Sequence, residues 1–318
     1  MDAIQTEALT KHYSVGFWRP RPYLALDGVT LSVGRGEVFG FLGPNGAGKT
    51  TTLKLLMQLI YPTSGVARIL GLPVGSSELK RRIGYLPENP YFYDHLTAEE
   101  LLQYFASLFG FAAAERRQRA SRLLDEVGIG AERRLQLRKF SKGMLQRVGI
   151  AQALLNDPEV VFFDEPMSGL DPLGRREIRQ LILRLRDRGC TVFFSSHVLS
   201  DAEALCNRVA IVARGRLVTS GPLAEILAFK VHGWELVMSH VPPQALACAL
   251  KDGRVTKALP IGEDRYALDL PLDTPPERLM ADLSGVGARL VSLNPLRETL
   301  EDFFVRQVAA VKTDRGLK

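Results

Sequence analysis

The sequence predicts an α/β protein with a mainly parallel sheet, followed by a smaller α+β domain. A glycine-rich loop at 43–50 lies between an apolar strand, Val38–Leu42, and a helical run. Two unbroken apolar runs, Val160–Asp164 and Thr191–Ser196, are typical of strands buried on both faces of a parallel sheet. Beyond residue 231 the pattern becomes strand, helix, two strands, helix and strand, which is the order of a ferredoxin-like domain.

The glycine-rich loop has the composition of a phosphate-binding loop. It reads Gly43-Pro44-Asn45-Gly46-Ala47-Gly48-Lys49-Thr50, with Thr51 next in the predicted helix. Backbone N–H groups of such a turn, at a helix N-terminus, surround phosphate oxygens at close range. Lys49 supplies a point charge for the β and γ phosphates, and the Thr50 hydroxyl can complete an octahedral Mg²⁺ shell. The strand–loop–helix context therefore predicts a nucleoside triphosphate site.

Two acids follow the first of the apolar runs. Asp164 ends that strand and Glu165 comes next, an arrangement that resembles a Walker B strand. Asp164 would hold Mg²⁺, and Glu165 would act as general base on the attacking water. Two acids at a strand end also suit a helix N-cap, but a phosphate loop in the same chain favours the metal and base roles.

A short segment before residue 145 carries the family resemblance. Phe140-Ser141-Lys142-Gly143-Met144 precedes an amphipathic stretch, with Ser141 in the N-cap position. It resembles the LSGGQ signature of the ABC ATPase family, from which it departs at Phe140, Lys142 and Met144. Ser141 and Gly143 retain the hydroxyl and the small residue that admit a γ-phosphate to the helix N-terminus.

Further positions match the same family. Ser168-Gly169-Leu170-Asp171 resembles the D-loop, and Asp171 also suits a helix N-cap. His197, after the second apolar run, matches the switch histidine that contacts the γ-phosphate. Tyr13 matches the aromatic residue that stacks on adenine, although Trp18 and Tyr23 lie in the segment that follows.

One position departs from the family pattern in charge. Glu88 follows the segment Ile83-Gly84-Tyr85-Leu86-Pro87, where the family usually has glutamine. A carboxylate still coordinates Mg²⁺ or a water, so Glu88 is a candidate metal ligand and catalytic residue. It also adds negative charge near a triphosphate, which leaves its catalytic share open.

The resemblance implies an ATPase domain over 1–228, with a helical subdomain at about 89–141. A capping box from Thr97 to Glu100 begins the first subdomain helix. The predicted buried face of that helix comprises Leu101, Leu102, Phe105 and Leu108. Residues 231–308 form the accessory α+β domain, without phosphate-binding or metal-ligand spacing, and 309–318 form a tail.

Composition predicts an intracellular globular protein of two domains. The chain has 318 residues, 46% hydrophobic and 24% charged, with no apolar run long enough to span a membrane. No secretory signal is visible, and the three cysteines are scattered, which predicts reduced core thiols. The net charge of +6 comes without an aromatic-rich basic stripe, so nucleic acid is not an expected partner.

The resemblance implies an ATP-hydrolysing subunit that drives a separate integral membrane permease. One phosphate loop and one signature per chain imply a second ATPase subunit, expected to be another copy, on the cytoplasmic face of the cell membrane. The segment from Leu296 to Phe304 resembles the tail of ATPase subunits that serve exporters. A soluble ABC ATPase acting on ribosomes or DNA is the alternative, but such proteins usually carry two cassettes or a long coiled coil. A small-molecule kinase leaves the signature and D-loop without a role.

Overall fold

The computed structural model describes most of the chain in two compact units. The described residues are 2–16, 21–226, 231–262, 264–297, 300–301 and 303–304. One unit lies within Met1–Ile226 and the other within Leu227–Arg306. The predicted tail at 309–318, the part of the predicted accessory domain beyond residue 304, and Trp18 lie outside the described residues.

The elements of the first unit follow the predicted order. Its strands are β1 (Asp2–Val15), β2 (Arg21–Gly34), β3 (Val38–Leu42), β4 (Ser64–Ile69), β5 (Leu72–Pro73), β6 (Ile83–Leu86), β7 (Val160–Asp164), β8 (Thr191–Ser196), β9 (Arg208–Ala213) and β10 (Arg216–Pro222). Its helices are α1 (Lys49–Leu56), α2 (Ser77–Lys80), α3 (Ala98–Leu108), α4 (Ala113–Glu126), α5 (Lys142–Ala153), α6 (Pro172–Asp187), α7 (Leu199–Leu205) and α8 (Leu223–Ile226). A 3₁₀ turn at Leu137–Lys139 precedes α5.

A six-stranded sheet forms the core and positions the site. Its order is β10-β9-β3-β8-β7-β6, with parallel pairing except between β9 and β10. Every residue of β3, β7 and β8 is buried, as the unbroken apolar runs predicted. The Phe193 ring lies 5.5 Å from Phe39 and 5.6 Å from Phe162, which joins the three strands by aromatic contacts. Because parallel strands end at the same edge, the loops after β3, β7 and β8 come together there.

A second, antiparallel sheet has the order β2-β1-β4-β5. Its long β1–β2 pairing sets Tyr13 directly opposite Tyr23. Side chains of directly opposed residues project from the same face of a sheet. The two tyrosines are therefore neighbours in the sheet, although they lie 10 positions apart in the sequence.

The helical subdomain confirms the predicted capping box and corrects one part of the predicted face. Thr97 accepts a hydrogen bond from the Glu100 backbone, and Glu100 accepts one from the Thr97 backbone. Leu101 and Leu102 are buried as predicted, but Leu108 is 66% exposed. Leu108 is the last residue of α3, and the buried residue of that last turn is Ala106.

The second unit confirms the ferredoxin-like prediction. It consists of β11 (Val231–Ser239), α9 (Pro243–Lys251), β12 (Lys257–Gly262), β13 (Arg265–Pro271), α10 (Pro276–Gly285) and β14 (Arg289–Arg297). The four strands pair antiparallel in the order β12-β13-β11-β14, with the first and third strands central. Alternate residues of the central strands, including Leu236, Met238, Leu268 and Leu270, pack with the two helices in its core.

The three cysteines differ in their surroundings. Cys190 and Cys206 are buried, whereas Cys248 on α9 is exposed, so the prediction of three core thiols is wrong for Cys248. Burial raises the pKa of the Cys190 thiol to about 12, and burial also raises the pKa of the Cys206 thiol. Across the described residues no helix has both the length and the apolarity needed to cross a bilayer.

Candidate active site

The predicted phosphate loop wraps the N-terminus of α1. Gly48, immediately before the helix, has φ +106°, and a Cβ there would lie 2.7 Å from the Ala25 carbonyl oxygen. A Cβ at Gly43 would lie 2.4 Å from the Val212 carbonyl oxygen. Both positions therefore require glycine, because the backbone of the loop packs directly against neighbouring main chain.

A cleft of about 270 Å³ lies over this loop. It is lined by Tyr23, Ala25, Asn45, Gly46, Ala47, Gly48, Lys49, Thr50, Thr51, Glu88 and Glu165. The structure thus brings most of the predicted loop residues together with Glu88 and Glu165. Tyr23, rather than its neighbour Tyr13, is among the lining residues.

Lys49 is buried and lies beside Glu165 of the cleft. Its Nζ donates to the Gly43 carbonyl oxygen at 2.7 Å and lies 3.4 Å from that of Pro44. The same Nζ lies 3.5 Å from Glu165 Oε1, and the two side chains are 6% and 9% exposed. Opposite charges at this distance and burial attract strongly, so Lys49 is held over the loop.

Glu165 occupies a strained and closely held position. Its backbone φ is +52°, a left-handed conformation that costs a non-glycine residue about 1–2 kcal/mol. Its Oε2 lies 2.9 Å from His197 Nδ1, while Oε1 faces Lys49. The backbone N–H donates to the Ser195 carbonyl oxygen at 3.2 Å. The carboxylate is therefore held between the phosphate loop and the loop after β8.

Asp164 is nearly inaccessible to solvent. Ser195 Oγ donates to Asp164 Oδ1, and Thr50 also hydrogen-bonds this carboxylate. Its Oδ2 is buried without a hydrogen-bond partner among the described residues. Burial raises the pKa of Asp164 against the opposing effect of these hydrogen bonds. Burial, with the charges of Asp164 and Glu88, also raises the pKa of Tyr85 to about 12.

Three more of the predicted site residues belong to the signature and the D-loop. Ser141 is exposed and caps α5 by accepting from the Met144 N–H at 3.2 Å. A Cβ at Gly143 would lie 3.1 Å from Leu170 Cδ2, so the absence of a side chain lets the signature turn pack on the D-loop. Asp171 caps α6 by accepting from the Gly174 N–H at 2.7 Å, as predicted. None of these three residues is among those lining the cleft.

Two further residues support the acids and were not identified from the sequence. Ser195 contacts both Asp164 and the Glu165 backbone. Gln146 Nε2 donates to the Glu165 carbonyl oxygen at 3.2 Å and is 1% exposed. A serine at a strand end and a glutamine in an amphipathic helix form no distinctive sequence pattern, so their contacts with the acids are identified only from the fold.

Together, a glycine-rich loop at a helix N-terminus, a buried lysine and two acids at the edge of a parallel sheet define a P-loop nucleoside triphosphatase. The family model for ABC transporters matches residues 26–168. An uncharacterized ABC transporter ATP-binding protein of Synechocystis sp. is 46% identical over 309 residues, covering 96% of this chain and 85% of that protein. The chain belongs to the ABC transporter ATP-binding protein family.

Two other similarities bear on its activity. A fluoroquinolones export ATP-binding protein of Mycobacterium tuberculosis is 43% identical over 196 residues, covering 61% of this chain and 64% of that protein. A dimeric ATP-binding cassette in a post-hydrolysis state, bound to ADP and Pi, has a TM-score of 0.64 and 27% identity, covering 69% of this chain and 98% of that one. The protein is thus an ATP-binding and ATP-hydrolysing subunit of an ABC transporter, rather than an ATPase of ribosomes or DNA.

Proposed function

We propose that two copies of this chain enclose each ATP between the phosphate loop of one copy and the signature of the other. The observation that carries this proposal is the exposure of Ser141 at the start of α5, outside the cleft that holds Lys49. A helix N-terminus attracts anions, and no residue of α5 is among those that line the cleft over the phosphate loop of the same copy. A second copy, related by two-fold symmetry, supplies Ser141, Gly143 and Asp171 to each site.

Mg²⁺ fits the residues at the edge of the sheet. The orphaned Asp164 Oδ2, the Thr50 hydroxyl and the Glu88 carboxylate are the hard oxygen ligands that this ion prefers. When bound, the ion would neutralise charge on the β and γ phosphates. Phosphate release measured across a Mg²⁺ titration, with Asp164→Asn as the variant, tests this: the variant should need far more Mg²⁺ for half-maximal rate.

Hydrolysis follows from the geometry of Glu165 and its two partners. Lys49 binds the β and γ phosphates, which offer it more negative charge than Glu165 does, and so releases Glu165 Oε1. That oxygen accepts a proton from water while the water oxygen bonds to the γ phosphorus and the bond to ADP breaks. His197, 2.9 Å from Oε2, keeps the carboxylate oriented and contacts the γ-phosphate.

For adenine, the sequence prediction is stacking on Tyr13. Tyr23 lines the cleft and projects from the same face of the sheet as Tyr13, so it is the alternative stacking residue. Replacing the stacking residue by alanine should weaken ATP binding by about 1–3 kcal/mol, and replacing the other should have little effect. Equilibrium ATP binding by Tyr13→Ala and Tyr23→Ala decides which tyrosine stacks.

The membrane permease would dock on the helical subdomain, from the inner face of the membrane. Tyr91 is 96% exposed and Tyr93 55%, and the Tyr93 and Tyr104 rings meet edge to face at 6.2 Å. Exposed aromatic residues grouped in this way are typical of protein interfaces. The exporting relative and the tail resemblance at Leu296 to Phe304 support export as the direction.

Recovery of the protein from gently solubilised cells tests the transporter assignment. An integral membrane protein should co-purify with the wild-type chain and be lost with Tyr91→Asp, whose ATP binding should be unchanged. Equal recovery with both chains would place the permease contact elsewhere. Glu7→Gln, at an exposed position of β1, serves as control for an unrelated surface change.

A further inference from the structure

The backbone of Glu165 is held from both sides. Its N–H group lies 3.2 Å from both the Ser195 carbonyl oxygen and Ser195 Oγ, so β8 holds the preceding peptide. Its carbonyl oxygen accepts from the Ser168 N–H at 3.1 Å and from Gln146 Nε2 at 3.2 Å. Gln146 is the contact that comes from a different part of the fold, helix α5.

Glu165 needs this support because its conformation is unfavourable in two ways. Its φ of +52° lies in the left-handed region, and Pro166 follows it. A residue before proline is restricted towards extended conformations by contact with the proline ring. Without support, rotation of the Glu165 backbone towards an extended form would turn its carboxylate away from Lys49 and His197.

The Gln146 side chain is placed to prevent that rotation. It is buried on α5, and its amide reaches across to the Glu165 carbonyl oxygen rather than to solvent. A buried glutamine is uncommon unless it makes hydrogen bonds. Gln146 also lies five positions after Ser141, about 7.5 Å along the same helix, so one element carries both the signature hydroxyl and the support of the base.

We propose that Gln146 is a positioning residue for ATP hydrolysis, which holds the Glu165 carboxylate in its reactive orientation through the main-chain carbonyl. This inference rests on the proposed role of Glu165 as general base. Gln146 does not line the cleft, so it acts on the rate of the chemical step and leaves the binding of ATP unchanged.

Two substitutions of similar size remove the donor in different ways. Gln146→Leu replaces the amide by a shorter apolar side chain, and Gln146→Met keeps the length of the side chain but has no N–H to donate. Both should lower kcat about ten- to a hundredfold, with the KM for ATP within about twofold of wild type. Gln152→Leu, the same change later on α5 at a half-buried position, is the matched control and should retain the wild-type kcat.

A double variant separates positioning from general destabilisation. If Gln146 acts through Glu165, adding Gln146→Leu to Glu165→Gln should slow single-turnover hydrolysis no further, because the base is already absent. Thermal unfolding of each variant is recorded alongside, and if Gln146→Leu fails to fold, Gln146→Met is used in the same pair. An unchanged kcat in the single variants, or full additivity in the double variant, would overturn the proposal.

The wild-type protein separates this inference from the proposed function. Wild type and Glu165→Gln are assayed first for ATP binding and phosphate release. If Glu165→Gln hydrolyses ATP at the wild-type rate, Glu165 is not the general base. If the rate of hydrolysis falls in Glu165→Gln but not in the Gln146 variants, only the positioning role of Gln146 is removed.

Discussion

Replacing Glu165 by glutamine should strengthen ATP binding and slow turnover by about a hundredfold or more. The Glu165 carboxylate lies 3.5 Å from Lys49 Nζ and competes with the triphosphate for that ammonium. At an effective dielectric constant of about 20, this pair attracts by about 5 kcal/mol, and desolvation of the two charges offsets most of it. A net release of about 1–2 kcal/mol gives ATP binding about five- to thirtyfold tighter in the variant.

Turnover in the same variant should fall by about a hundredfold to ten-thousandfold, which is the usual contribution of a general base. Titration with ATP under conditions that prevent hydrolysis measures the affinity, and phosphate release measures the rate. Glu7→Gln, which changes an exposed carboxylate of β1, should leave both values at wild type. Weaker ATP binding by Glu165→Gln would refute the competition between the carboxylate and the triphosphate for Lys49.

Three further substitutions, one of them with a control substitution, and one truncation test other parts of the structure. Adding Ser141→Arg to Glu165→Gln should prevent ATP-dependent dimers, because the arginine side chain would fill the space for the γ-phosphate bound by the other copy. Light scattering measures the dimers, and dimers that survive Ser141→Arg would contradict the shared site. Glu88→Gln should keep phosphate release within about tenfold of wild type, since both side chains offer an oxygen ligand. Gly84→Ala should lower the free energy of unfolding by about 2 kcal/mol or more, because its Cβ would lie 2.0 Å from a carbonyl oxygen of α5, whereas Gly221→Ala, with open space around it, should have little effect. A chain ending at residue 229 should still bind ATP with a changed hydrolysis rate, and loss of all ATP binding in a folded truncation would place part of the nucleotide site beyond that residue.

The sequence predicts the strands of the core sheet because they are buried along their whole length. Apolar runs such as Val160–Asp164 have no polar face, and only a strand covered on both sides tolerates that pattern. The phosphate loop is equally predictable from the sequence, because close main-chain packing restricts positions 43 and 48 to glycine. The second domain is predicted correctly because its alternating strands and short helices leave one consistent order.

Contacts between distant segments could not be predicted in this way. Gln146 and Ser195 reach Glu165 across 19 and 30 positions, and no local pattern indicates such a contact. Helical periodicity predicted a buried Leu108, but periodicity gives the direction of a side chain and not the extent of what covers it. The cleft-lining position of Tyr23 depends on the register of β1 and β2, which a hairpin of this length does not reveal in its sequence.

The different surroundings of the three cysteines make the native chain suitable for labelling. Cys190 and Cys206 are buried and their thiols resist ionisation, so a maleimide reagent should react at the exposed Cys248 alone. A fluorophore or spin label can therefore be attached to α9 of the ferredoxin-like unit without first removing any cysteine. In the proposed dimer, the distance between two such labels would report directly whether the accessory units move during ATP turnover.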